Sequence, residues 1–219
     1  GIRGVERSRG LGDVYKRQCI IYMYGENWTV KMTDLLYEDE VVFSHSSRYQ
    51  HFVVTERYLI DQTEPVYGFF INGRLQFSSN DEHIYHSMLV YPPMLVANEQ
   101  NRVLIIGGGD GLALRDVLRF EPKAVTLIDL DSELVNFFSE EGDMSEFRSD
   151  LIELNEYAFS DKRVSCIHGD AFIEVEKLVK KGARFDVIIV DLPDPSHPDL
   201  ARMYPTYFYE RLGNLLNKD

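Results

Sequence analysis

Four aspartates in this chain stand where an apolar run stops. Asp110 sits in the turn Gly107-Gly108-Gly109-Asp110-Gly111, directly after "RVLIIG". Asp129 closes "AVTLID", Asp170 follows "RVSCIHG", and Asp191 follows "FDVIIV". Asp194 comes three residues later, between Pro193 and Pro195. Like charges raise one another's pKa, so acids converging on one crevice are costly unless a cationic guest resolves the charge. Two acids on a loop stiffened by prolines can hold an ammonium group and accept a proton from it. The glycines at 107–111 let backbone approach a ligand closely. Yet the turn carries an acid and almost no positive charge nearby, the reverse of what a phosphate would want. The dinucleotide fingerprint G-x-G-x-x-G fits Gly107 and Gly109 and fails at its sixth place, Leu112. Asp129 lies 22 residues beyond Gly107, the spacing of a carboxylate that accepts both ribose hydroxyls.

Plainer readings stand beside these. Asp131 is better placed as a helix N-cap than as a ligand group. Asp170 either accepts from an adenine amino group or caps a helix that starts at Ala171. "DLPDP" (Asp191–Pro195) taken alone is an ordinary turn.

The elements that must position these residues follow from hydrophobic pattern. "RVLIIG" is a continuous apolar run, as in a strand covered on both faces. "GLALRDVLRF" reads as helix, "AVTLIDLD" as strand, "SELVNFFSE" as helix, "RVSCIHGD" as strand, "AFIEVEKLVKKG" as helix, "FDVIIVDLPDP" as strand and "YPTYFYERLGNLL" as helix. The polar stretch 139–161 offers little core. Strands alternating with helices predict the α/β class, a doubly wound parallel sheet. Ligands of such sheets sit beyond the carboxyl ends of the strands, where the acids are. Upstream, residues 40–80 mix β-branched and aromatic residues with polar ones in near alternation, and Asn72–Gly73 is a hairpin signal. This predicts a small antiparallel β unit ahead of the parallel sheet. "DEHIYHSMLVYPPMLV" reads as a helix between the two, with an acidic first turn, Asn80 as its cap, and Pro92–Pro93 ending or kinking it.

The expected organisation is a β unit over 35–80 and an incomplete Rossmann-like domain over 81–219. Residues 1–18 have no apolar periodicity, and "DVYKRQ" resembles a translated sequencing-library adapter. They are set aside as an assembly artefact, with a basic disordered arm as the alternative. Residues 19–34 read as a linker or as the stub of a lost membrane segment. "CIIYMYG" (19–25) is too short to span a bilayer, and a local core strand fits it equally well. The chain stops after a helix, where a further strand is due, so truncation at both ends is expected.

Composition agrees with a cationic guest. Net charge is −13, from 23 basic and 36 acidic residues. Residues 1–18 hold five basic and two acidic side chains, so 19–219 carry −16. Such a surface repels nucleic acid and attracts cations. Two cysteines, Cys19 and Cys166, lack metal-ligand spacing and suggest a reducing compartment.

Six segments together carry a resemblance: Tyr49–Gln50, Asn72–His86 ("NGRLQFSSNDEHIYH"), Gly107–Gly111, Asp129–Asp131, Gly169–Ala171 and Asp191–Pro195. In this order and spacing the chain resembles the polyamine aminopropyltransferases, the spermidine synthase family, over about residues 35–219. "LYEDEVVFSHSSRYQ" and the stretch through "LIELNEYAF" are most like the subgroup whose synthase-like domain follows a membrane domain. The resemblance implies transfer of the aminopropyl group of decarboxylated S-adenosylmethionine to a di- or polyamine, putrescine to spermidine first among them. Methylthioadenosine leaves, and neither a metal nor any further cofactor takes part. It implies that Gln50, Gly107, Gly109, Asp110, Asp129, Asp170 and Ala171 hold the donor. By the same likeness Gln76, Tyr85, His86 and Asp194 hold the acceptor amine, and Asp191 takes its proton. It implies a homodimer with small cationic substrates and no nucleic-acid partner. The place would be the cytoplasm, or the cytoplasmic face of a membrane if a membrane domain precedes the chain.

Two departures bear on this. Ser87 stands where the family often has Glu after the Tyr-His pair, and Asp129 where it often has Glu. The first removes a carboxylate from the acceptor side, and the second shortens a reach by one methylene. Two rival readings share part of the pattern. An S-adenosylmethionine-dependent methyltransferase would share the glycine turn, Asp129 and Asp170, but would not call for "DLPDP". A non-catalytic nucleoside- or polyamine-binding domain would keep the site without turnover.

Overall fold

The computed structural model describes residues 36–60, 63–140, 145–192 and 205–217. The chain divides into two compact units, one made of residues 1–45 and 52–76, the other of 46–51 and 77–219.

The first unit is built on an antiparallel sheet in the order β1 (Glu40–Ser46), β2 (His51–Tyr58), β3 (Pro65–Ile71), β4 (Arg74–Ser78). Val53 pairs with Phe70 and Val54 with Phe69. Phe52, Val53, Val54 and Thr55 are buried without a break, so β2 is covered on both faces rather than alternating. The expected hairpin is present. Asn72 and Gly73 both have positive φ, +50° and +77°, which suits the tight turn between β3 and β4.

The second unit carries the parallel sheet, in the order β7-β6-β5-β8. Its strands are β5 (Arg102–Gly107), β6 (Ala124–Asp129), β7 (Val164–His168) and β8 (Val187–Asp191). Val103, Leu104, Ile105 and Ile106 of central β5 are fully buried, as an apolar run covered on both faces requires. One layer of core packs Val103 and Ile105 with Ala113, Val117, Val90 and Met94. The other packs Leu104 and Ile106 with Val175, Phe208, Leu212 and Leu215. The helices are α1 (Glu82–Val96), α2 (Leu112–Leu118), α3 (Ser132–Phe137), α4 (Glu146–Leu154), α5 (Ala171–Lys180) and α6 (Thr206–Gly213).

Three local expectations are corrected. Asp81, not Asn80, occupies the N-cap position of α1, and its side chain makes no capping bond. Pro92 and Pro93 lie inside α1, which runs on to Val96. Each lacks the N–H for an i−4 bond, but Val90 and Met94 on either side are fully buried and hold the helix on the core. The polar stretch 139–161 does supply core: Leu151, Ile152 and Ala158 are buried. The signal missed there is Arg148, which is buried and donates to the carbonyls of Asn136, Phe137 and Ser139. It closes the C-terminal end of α3 with a cationic donor.

Candidate active site

β5 and β8 are parallel neighbours in register, with Gly107 opposite Asp191. This pairing brings the end of one strand's glycine turn against the other strand's terminal acid. Gly107 has φ +82°, and a Cβ there would lie 2.0 Å from the Asp191 carbonyl oxygen. Any side chain would force β8 away. Gly109 plays the same part toward β6: a Cβ would lie 2.9 Å from Asp129 Oδ2. The turn is glycine-rich because two strand-end aspartates crowd it.

The acids are brought together by these contacts. Asp191 Oδ1 accepts from Tyr85 Oη of α1 at 2.9 Å. Asp110 Oδ1 accepts from the Leu112 N–H at 2.9 Å, at the start of α2. A ring nitrogen of His86 and one carboxylate oxygen each of Asp110 and Asp191 lie within 4.8 Å of one another. Asp129 Oδ1 accepts from the Asp131 N–H at 2.8 Å. None of these three carboxylates takes an ion pair from a lysine or arginine among the described residues.

The charge balance shows in the titration of the group. Burial pushes Asp129 and Asp191 up to about 6, and the charge of Asp110 adds to each. Burial also raises Asp110, with the His86 ring pulling the other way. Burial alone would lower His86, but its bond to Glu82 and the charges of Asp110 and Asp191 outweigh that, and the net direction is up. The site is a group of half-buried carboxylates with one buried histidine beside them. One ring nitrogen and two carboxylate oxygens are fewer than the about six to eight oxygens of a calcium site and equal the three protein ligands of an open zinc site. An ammonium group, which needs only acceptors, suits them.

The other sequence candidates are placed differently. Gln50 lies in the 47–50 turn, where its backbone N–H donates to Ser47 Oγ at 3.2 Å. Ser47 Oγ in turn donates to Asp131 Oδ2 at 2.5 Å, which fastens that turn to the end of β6. Asp131 also accepts from the Glu133 N–H at 3.1 Å, so its reading as an N-cap is correct. Asp170 is exposed and caps α5 by accepting from the Phe172 N–H at 2.8 Å, with Ala171 the first residue of that helix. No bond joins it to the three clustered acids. Gln76 is an exposed residue of β4 whose amide donates to the Arg74 carbonyl at 3.0 Å. Asp194, with Pro193 and Pro195, lies outside the described residues.

Sequence reasoning missed Glu82, Arg115 and Asp116. All three are buried charged residues, at 5%, 5% and 1% exposure. The i,i+4 spacing of Glu82 to His86 was visible, but nothing in a sequence distinguishes a charge that turns inward from one that faces water.

Residues 82–219 match the family model described as the spermine/spermidine synthase domain. A polyamine aminopropyltransferase of Shewanella oneidensis is 52% identical over 202 residues, 91% of this chain and 35% of that protein. One from Leptospira interrogans is 37% identical over 198 residues, 90% of this chain and 36% of that protein. The chain thus spans about a third of the length of these curated relatives. Among solved structures, a spermidine synthase in complex with the transition-state analogue AdoDATO superposes with a TM-score of 0.65 at 27% identity, covering 81% of this chain and 55% of that one. The spermidine synthase of Thermotoga maritima gives 0.63 at 28% identity, covering 82% and 54%.

Proposed function

The chain belongs to the spermine/spermidine synthase family, and from that premise we propose that the intact protein is a polyamine aminopropyltransferase. It moves the aminopropyl group of decarboxylated S-adenosylmethionine to a di- or polyamine, putrescine foremost, and releases methylthioadenosine. The observation that carries this reading is the cluster of His86, Asp110 and Asp191, with Asp129 near enough to act on it electrostatically and no arginine or lysine paired to the three carboxylates among the described residues. Both reactants are cations: the donor has a sulfonium and an ammonium, and the acceptor is a polyamine.

In this reading Gly107 and Gly109 keep the turn thin, Asp129 takes the ribose hydroxyls, and Asp110 takes the ammonium of the aminopropyl arm. Gln50 and the Asp170–Ala171 helix start complete the donor side. Tyr85 and His86 orient the acceptor nitrogen beside Asp191. An alkylamine has a pKa near about 10.4, so freeing its lone pair near pH 7 costs roughly 4–5 kcal/mol. A carboxylate pushed up to about 6 is a better base than an ordinary one, and the gap narrows by roughly 3 kcal/mol at 1.36 kcal/mol per unit. The amine N–H proton passes to Asp191, directly or through water. The nitrogen lone pair attacks the methylene beside the sulfonium. The carbon–sulfur bond breaks with its electron pair on sulfur, which leaves as a neutral thioether and needs no acid. Holding nitrogen, carbon and sulfur in line supplies much of the remaining barrier reduction.

No helix among the described residues is long and apolar enough to cross a membrane. We place the reaction in the cytoplasm, or on the cytoplasmic face of a membrane if the longer protein carries a membrane domain, and expect it to work as a homodimer.

The test supplies full-length protein with decarboxylated S-adenosylmethionine and a panel of amines, and measures methylthioadenosine. Release that requires an amine is expected. Methyl transfer from S-adenosylmethionine would assign the chain to a methyltransferase instead, and binding without turnover would make it a sensing domain.

A further inference from the structure

Besides the pocket acids, the second unit buries a set of charges that the reaction as described leaves unused. Glu82 opens α1, and both oxygens of its carboxylate are occupied. Arg115 of α2 donates from Nη1 to Oε1 at 2.7 Å and from Nη2 to Oε2 at 3.1 Å. His86 Nδ1 lies 2.8 Å from Oε2 and 2.8 Å from the Glu82 carbonyl oxygen. Arg115 is itself fixed: Nε donates to Asp116 Oδ1 at 2.9 Å, and Nη1 to the Leu154 carbonyl at 2.8 Å. Asp116 Oδ1 also takes Arg119 Nη1 at 3.0 Å.

Both groups facing His86 Nδ1 are pure acceptors, so Nδ1 must carry the proton. The nitrogen that Glu82 does not engage is Nε2, and the ring lies beside Asp110 and Asp191. In the neutral ring Nε2 is a bare lone pair, able to accept from an amine N–H. The opposite tautomer would turn an N–H toward a donor-only ammonium group, and the two would repel.

We propose that Glu82, clamped by Arg115, is a positioning residue for the amine site, fixing His86 as the Nδ1–H tautomer with Nε2 facing the incoming nitrogen. The role rests on the aminopropyl-transfer reading of the pocket. The logic is that of a buried carboxylate orienting a histidine that works on substrate with its other nitrogen. The groups facing the ring agree on its charge. Glu82 lies on its own helix, Asp110 is on the β5–α2 turn and Asp191 on β8, and all three favour the imidazolium. Tyr85 caps Asp191 from the next residue. The charges of these three acids favour the protonated ring against the burial that opposes it.

The test is a nitrogen–proton correlation spectrum of full-length protein labelled at its histidine rings, with the His86 signals identified by their loss in His86→Asn. Above its titration midpoint the neutral ring should show the Nδ1–H tautomer. A neutral ring protonated on Nε2 would overturn the proposal whatever any variant does. In Glu82→Gln, where the amide can donate as well as accept, the His86 midpoint should move down. kcat should fall roughly 10- to 100-fold, the size seen when a histidine in a metal site loses its orienting partner. The donor KM should stay near the wild-type value. Unchanged kcat in a folded Glu82→Gln protein, or lost kcat with the His86 titration unmoved, would also overturn it. If that variant does not fold, the wild-type spectrum decides alone. The spectrum needs no turnover, so it distinguishes a wrong role for Glu82 from a wrong reaction.

Discussion

The two ends of one parallel sheet treat their aspartates in opposite ways. At the amino ends, Asp161 before β7 accepts from Arg163 Nε at 2.9 Å and Nη2 at 2.7 Å, and these bonds hold its carboxyl down at about 2. Asp186 before β8 accepts from the Arg102 N–H at 2.8 Å and from Asn217. At the carboxyl ends, burial pushes Asp129 and Asp191 up to about 6, with only His86 and N–H or O–H donors in reach among the described residues. The residue type is the same and the strands are the same. What differs is that Arg163 gives Asp161 a counter-charge and neutral donors meet Asp186, whereas Asp129 and Asp191 have no lysine or arginine partner among the described residues. Unbalanced half-buried acids are costly for the empty protein, as at a site built for binding rather than for stability.

Breaking the carboxyl-end group should have the largest effect at Asp191. Asp191→Asn removes the proposed proton acceptor and should lower kcat roughly 10²–10⁴-fold, with donor binding nearly intact by calorimetry. Unchanged turnover would remove Asp191 from the mechanism. Next comes Asp129→Asn, which should weaken donor binding roughly 10- to 100-fold, as loss of charged hydrogen bonds does. The same change should make the empty protein more stable near neutral pH, by on the order of 1–3 kcal/mol, because a raised carboxylate is being neutralised. A denaturant titration reads the sign, and a destabilised variant would contradict the comparison.

The pH dependence sharpens the contrast further. Groups raised in the folded state stabilise it when protonated. For Asp129 and Asp191 that stability is full below the ordinary carboxylate value of 3.8 and is lost as pH rises toward about 6. His86, also raised, loses its share at higher pH, from 6.5 upward. The Tm of the unliganded protein should therefore fall as pH rises from about 5 to about 8. Asp161 runs the other way: its contribution is present above 3.8 and is lost as pH falls toward about 2. The smallest effect is at that partly exposed amino-end pair, where Asp161→Asn should destabilise by at most about 1 kcal/mol. A loss as large as that of a buried pair would erase the distinction between the two ends.

Much of this was legible in the sequence. The apolar runs ending in Asp110, Asp129 and Asp191 announced both the parallel strands and the rim that gathers the acids, because strand ends of a parallel sheet lie on one edge. The glycines at 107 and 109 were legible as close-approach positions, though not what approaches them. Asp170 was ambiguous between ligand and cap, and the structure gives it a capping bond while leaving its side exposed. Asn80 and the two prolines misled, because local cap and breaker rules yield to the burial of Val90 and Met94. Glu82, Arg115 and Ser47 were invisible, since each earns its place through a partner 33 or 84 residues away.

The central claim is that this carboxyl edge is a seat for cations. It is tested most directly by thermal shifts of the full-length protein near neutral pH with decarboxylated S-adenosylmethionine, S-adenosylmethionine and methylthioadenosine. The doubly charged decarboxylated donor should raise Tm most, and Asp110→Asn should bring its shift down to that of the neutral thioether nucleoside. Equal stabilisation by S-adenosylmethionine, or a shift that Asp110→Asn leaves unchanged, would contradict the account.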